Sequence, residues 1–118
     1  MSIQNQSLAS AAHHLSEAAL QQLQAVLREE RVAQAARLER FSPEGPAAAE
    51  MDRTALDAEI ASATEALEDI DDALARIDAG SYGLCSGCRA EISFERLEAV
   101  PRARQCVSCQ SRSTSLLG

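Results

Sequence analysis

Tryptophan and lysine are both missing from this 118-residue chain, and its aromatic residues are only Phe41, Tyr82 and Phe94. At this length there is material for one domain and not for two ordinary globular cores. No apolar run approaches the roughly 20 residues needed to cross a bilayer, so no membrane partner is expected. There is no glycine-rich phosphate loop, no Ser-His-Asp arrangement and no cysteine left over to act as a nucleophile, which argues against an enzyme. The opening stretch, Met1 to Ser7, lacks the basic and apolar regions of a secretory leader. A reducing, cytoplasmic setting is therefore expected. Every basic residue is arginine, and nothing in the sequence explains that choice.

What is present is alanine, leucine and acid. From Met1 to Ala79 there are 15 acidic and 6 basic residues, whereas from Gly80 onward there are 3 acidic and 5 basic. The composition of the long acidic part is that of a long helix or coiled coil. Binding to a phosphate backbone depends on cationic side chains, so sequence-specific contact with nucleic acid is not expected.

The acidic part carries a clear period. Leu56, Ile60, Ala63, Leu67, Ile70, Leu74 and Ile77 alternate spacings of four and three, which holds one apolar seam on one face of a helix. A helix from Ala47 to Ala79 is predicted, roughly 50 Å long at 1.5 Å per residue, with Gly80 as its stop. A single seam is unstable alone in water and needs a partner. Leu15, Leu20, Leu23, Leu27 and Leu38 supply a looser stripe, predicting helix from Ser10 to Phe41. Ser42-Pro43-Glu44-Gly45-Pro46 breaks the two apart and makes a turn. The expected architecture is mainly α: residues 10–79 form a long antiparallel hairpin (coiled coil) with its turn at 42–46, after a flexible 1–9. A four-cysteine finger at 80–110 and a short tail at 111–118 complete the chain.

All four cysteines fall in two pairs, Cys85-Ser86-Gly87-Cys88 and Cys106-Val107-Ser108-Cys109, reading C-x2-C-x17-C-x2-C. Two such knuckles supply four thiolates at tetrahedral corners, roughly 2.3 Å from a zinc ion, and leave no open coordination position. One structural zinc with ligands Cys85, Cys88, Cys106 and Cys109 is expected. Disulfides and a thioredoxin-like dithiol are the weaker alternatives, disfavoured by compartment and by the absence of a βαβ pattern. Arg89, Arg96, Arg102, Arg104 and Arg112 are candidates to balance the negative thiolate cluster. His13 and His14 read as exposed helix-surface residues, and Asp69, Asp71 and Asp72 as a solvated face, not a magnesium site.

The run Tyr82-Gly83-Leu84-Cys85-Ser86-Gly87-Cys88, with Ile92, Arg96-Leu97-Glu98-Ala99, Pro101 and the second cysteine pair, resembles the zinc finger of the DksA/TraR family of bacterial transcription regulators. The resemblance extends over about Ala47 to Gln110. It implies binding to RNA polymerase, with the coiled coil entering the secondary channel and its tip approaching the active site, and it implies ppGpp as a candidate co-effector. Better-studied members carry Asp-x-x-Asp-x-Ala at the tip; here the matching positions are Ser42, Gly45 and Ala47, and both aspartates are missing. With Glu44, these are the candidate partner-binding residues. Arg89 stands where the family commonly has glycine, a position that favours positive φ. The alternatives are a zinc-stapled coiled-coil protein with a partner other than polymerase and, resting on Glu44, a Gre-like transcript cleavage factor.

Overall fold

The computed structural model describes residues 14–117, with side chains through Arg112. Its elements in chain order are α1 (Glu17–Phe41), a 3-10 turn (Ala48–Glu50), α2 (Arg53–Ala79), α3 (Phe94–Ala99) and α4 (Val107–Leu117). Among the described residues there is no strand, and the finger contributes one isolated antiparallel bridge between Leu84 and Glu91. The mainly helical architecture matches the one expected from the pattern.

Helix α1 starts where Ser16 can cap it: the hydroxyl accepts the N–H of Ala19 at 3.0 Å. The start expected at Ser10 lies outside the described residues, as do the expected flexible 1–9 and His13. His14 to Ser16 are not helical, so the helix begins later than the leucine stripe suggested. At its far end α1 stops at Phe41, ahead of Pro43, as expected.

Helix α2 also begins later than expected, at Arg53 and not Ala47. Asp52 caps it, accepting the N–H of Ala55 at 2.8 Å. The ion pairs Arg31–Asp71 and Arg37–Glu59 fix an antiparallel register in which α2 residues before Arg53 find no α1 residue opposite them. A helical turn without a packed partner is marginal, and the Ala47–Met51 stretch instead folds into the 3-10 turn. At 27 residues α2 is about 40 Å long, shorter than the predicted rod. Its end is the expected one. Gly80, at φ 82°, closes a left-handed cap in which Arg76 O accepts the N–H groups of Ser81 and Tyr82.

The helices pack along Leu23 and Leu27 of α1 and Leu56, Ala63, Ala66, Ile70 and Ala73 of α2. A buried cluster fills the open end of the hairpin. There Leu23, Leu27, Ile70 and Ala73 join Leu15, Tyr82, Cys85, Ile92, Leu97, Ala103 and Cys109 in one buried cluster. The finger therefore does not have a core of its own; it completes one with the base of the hairpin. The whole measures 57 × 35 × 20 Å, a rod with a thick end. No helix among the described residues is long and apolar enough to cross a membrane.

The final segment differs from the short tail expected at 111–118. Residues Val107–Leu117 form helix α4, which begins inside the second cysteine pair. A ligand pair in a helix's first turn anchors that turn at a fixed point, which favours continuation of the helix beyond it.

Candidate metal centre

The first knuckle is built by a tight turn. Cys85 N–H donates to Ala90 O at 2.8 Å, Arg89 N–H returns to Cys85 O at 2.9 Å, and Ile92 N–H reaches Gly83 O at 2.7 Å. Arg89 sits at φ 68°, a positive value that fits the glycine expected at this place in the turn. The second knuckle, Cys106 to Cys109, opens α4. Ser86 N–H donates to Arg104 O at 2.8 Å and ties one knuckle to the approach of the other. Helix α3, capped by Ser93 at 3.1 Å from Arg96 N, spans the space between them and buries Leu97.

The four sulfurs lie within 4.8 Å of one another, and Cys88 and Cys106 Sγ are 3.8 Å apart. A tetrahedron with metal–sulfur bonds of roughly 2.3 Å has edges of about 3.8 Å, so the donor set has the size a zinc ion requires. The site is shielded on one side: Cys85 and Cys109 are buried, Cys106 is half-buried and Cys88 exposed. Two sulfurs receive hydrogen bonds, Cys85 from Gly87 N–H at 3.3 Å and Cys109 from Arg112 Nη2 at 3.1 Å.

The thiols do not ionise alike. Burial opposes ionisation of Cys85, but the backbone N–H groups of Cys106, Cys88 and Gly87 stabilise its thiolate and lower it to about 6. Arg112 pulls the Cys109 thiol down, yet the sulfur of Cys85, burial and the other two sulfurs outweigh it and push it up to about 11. One thiolate forms readily and another resists because negative charge is crowded into one place. A divalent cation among the sulfurs relieves that conflict.

Three of the five arginines named as charge balancers are placed by their contacts. Arg112 contacts a ligand sulfur. Arg104 instead pairs with Asp69 at 3.0 Å and Asp72 at 3.2 Å, and Arg102 lies 3.7 Å from Glu30. Asp69 and Asp72, read as part of a solvated face, thus dock the finger on the hairpin, while Asp71 holds Arg31 at 2.7 Å. His14 is a second correction. It is neither helical nor exposed: Nε2 donates to Ile92 O at 2.7 Å, and Nδ1 lies 3.6 Å from Glu91. Its neighbour Leu15 is buried in the shared core. No sequence signal marks a contact between residues 78 apart in the chain.

Tyr82 fastens the same junction. Its hydroxyl donates to Pro101 O at 2.9 Å, and the Arg76 guanidinium stands 5.8 Å from its ring centre. Burial raises the phenol to about 12, against the pull of Arg76.

The turn residues Ser42, Glu44, Gly45 and Ala47 lie at the end of the hairpin away from the cysteines. Gly45 N–H donates to Ser42 O at 2.8 Å, and Ala47 N–H reaches back to Arg40 O at 3.3 Å. A Cβ on Gly45 would sit 2.4 Å from Glu39 O and 2.5 Å from Arg40 O, so the close fold-back of this loop requires glycine. Glu44 is exposed, and Asp52 is committed to its capping role.

A helical hairpin closed at its base by a C4 zinc finger defines a class of small zinc-containing helical proteins. Residues 80–114 match the family described as prokaryotic dksA/traR C4-type zinc finger. General stress protein 16O of Bacillus subtilis is 47% identical over 47 residues, covering 40% of this chain and 29% of that protein. The chain thus spans less than a third of that curated relative. Solved structures extend the likeness to the hairpin. Transcription factor DksA2 from Pseudomonas aeruginosa is 25% identical, with a TM-score of 0.72 over 85% of this chain and 86% of the other. The RNA polymerase binding protein and transcriptional regulator Dks from Chlamydia trachomatis shares the fold at 22% identity, with a TM-score of 0.59 over 87% of this chain and 95% of the other. Residues 80–114 thus carry a C4-type finger of the dksA/traR kind, the hairpin fold is shared with DksA2, and the four clustered cysteines are positioned for one structural zinc ion.

Proposed function

We propose that this protein is a cytoplasmic, non-enzymatic transcription regulator that binds RNA polymerase, its hairpin entering the secondary channel and Ser42, Glu44, Gly45 and Ala47 meeting the enzyme. The observation that carries this reading is the shape: a narrow two-helix rod presents a compact loop at one end and a zinc-clamped base at the other. Such a rod can deliver a loop into a depth that a globular domain cannot enter. The acidic hairpin argues against a grip on DNA phosphates. ppGpp enters the proposal through the family resemblance.

The loss of both tip aspartates favours one second reading, a zinc-stapled hairpin whose partner is not polymerase. The two are separated by incubating zinc-loaded protein with purified polymerase and measuring retention, then promoter output with and without ppGpp. Retention, together with altered output that disappears when residues 44–47 are replaced, is the expected result. Retention no greater than background sinks polymerase binding and leaves the second reading standing.

A further inference from the structure

We infer that Arg112 is a positioning residue of the metal centre, holding the Cys109 thiolate in place and offsetting its charge through an N–H···S bond. The geometry is a short, direct contact: Arg112 Nη2 lies 3.1 Å from Cys109 Sγ. It follows from local structure. Cys109 and Arg112 stand three residues apart on α4, which places them on one helix face. The sulfur it reaches is one of the two buried ones, where water is least able to stabilise the charge that a thiolate keeps when it binds a metal.

The two buried sulfurs are served differently. Cys85 is served by neutral backbone N–H groups, Gly87 N–H at 3.3 Å among them, whereas Cys109 receives a cationic donor from outside its knuckle. Four thiolates around one divalent ion leave a formal charge of about −2, and a guanidinium, which stays protonated at any physiological pH, offsets part of it. Charge-assisted hydrogen bonds are roughly twice as strong as neutral ones. Arg102 and Arg104 are committed to Glu30, Asp69 and Asp72 of the hairpin, whereas Arg112 directs its Nη2 at a ligand sulfur.

Partners of metal ligands typically alter metal affinity by 10–100-fold when removed. The test uses the full chain as Arg112→Gln and Arg112→Lys, with far-UV circular dichroism verifying that each folds. Zinc retention against a competing chelator is read first. Arg112→Gln is expected to lose roughly 10-fold or more in retention, and Arg112→Lys, which restores a cationic donor, to recover part of it. The second readout is the sulfur-to-metal charge-transfer band of the cobalt-substituted protein. Loss of a hydrogen bond to a thiolate raises that sulfur's donor energy, so the band should move to longer wavelength in Arg112→Gln and return toward its original position in Arg112→Lys. An unchanged band in Arg112→Gln overturns the inference, whether or not retention falls, since a purely packing role would leave the sulfur's electronic state alone. Unchanged retention overturns it as well.

Discussion

Arg89 occupies a conformation that a residue with a Cβ adopts at a cost. Its φ of 68° lies in the left-handed region, where the side chain approaches the following carbonyl, a strain of roughly 1 kcal/mol. The turn cannot relax it, because the Arg89 N–H is committed to Cys85 O within the knuckle. Arg89→Gly should therefore stabilise the zinc-loaded finger by about 0.5–1 kcal/mol, less than the full strain because glycine also loosens the unfolded chain. The shortage of aromatics helps the measurement: Tyr82 is the sole tyrosine, there is no tryptophan, and it is buried at the finger's base. Its fluorescence during denaturant unfolding reports on the finger together with the hairpin base it packs against. A midpoint that is unchanged or lower in the glycine variant would show that the turn carries no such strain. This position was legible through the resemblance, which puts a glycine after the second cysteine where this chain has Arg89. His14 was not, since its partners are set by how the chain returns on itself and not by any local pattern.

Periodicity located the hairpin but not its deepest line. The seam read from Leu56 to Ile77 is present, yet Ala66 and Ala73 are buried while Leu67 and Leu74 are only partly so. The apolar face is turned toward these alanines. A four-three repeat specifies a stripe's existence and handedness; which edge of the stripe is covered depends on what packs there, here Tyr82 and Ile92 of the finger beside Ala73. The helix starts were misplaced for a related reason, because a cap such as Asp52 and the end of the partner helix decide together where packing begins. The turn itself was legible from its prolines and glycine, and its tightness was not. Gly45→Ala puts a methyl group against two backbone carbonyls that cannot rotate away. The loop must open, at a cost of about 1–3 kcal/mol. Faster proteolytic cleavage within residues 42–52 and a lower melting temperature by circular dichroism are expected, with Tyr82 fluorescence of the native state unaltered. Equal cleavage rates in variant and parent would mean that the loop has slack the geometry does not reveal.

Taken whole, the molecule is an acidic rod whose base is shared with its finger. Arg102 and Arg104 cross this junction to Glu30, Asp69 and Asp72, but exposed pairs of this kind contribute only about 0–1 kcal/mol each. The apolar cluster must carry most of the attachment. Its hairpin members, Leu23, Leu27, Ile70 and Ala73, are covered by Tyr82, Ile92 and Leu97, residues that the two knuckles hold in place. Zinc therefore acts on more than the finger. Removing it with a chelator should expose Tyr82 and weaken the helices near Leu23 to Leu27 and Ile70 to Ile77, while helix nearer the tip persists. Hydrogen exchange resolves the two regions, and far-UV circular dichroism should fall by part of its amplitude, not all of it. Restoring zinc should recover both signals together. Loss confined to the finger, with the hairpin base still fully protected, would refute the shared core. Collapse of all helicity would instead show that the hairpin has no stability apart from its base.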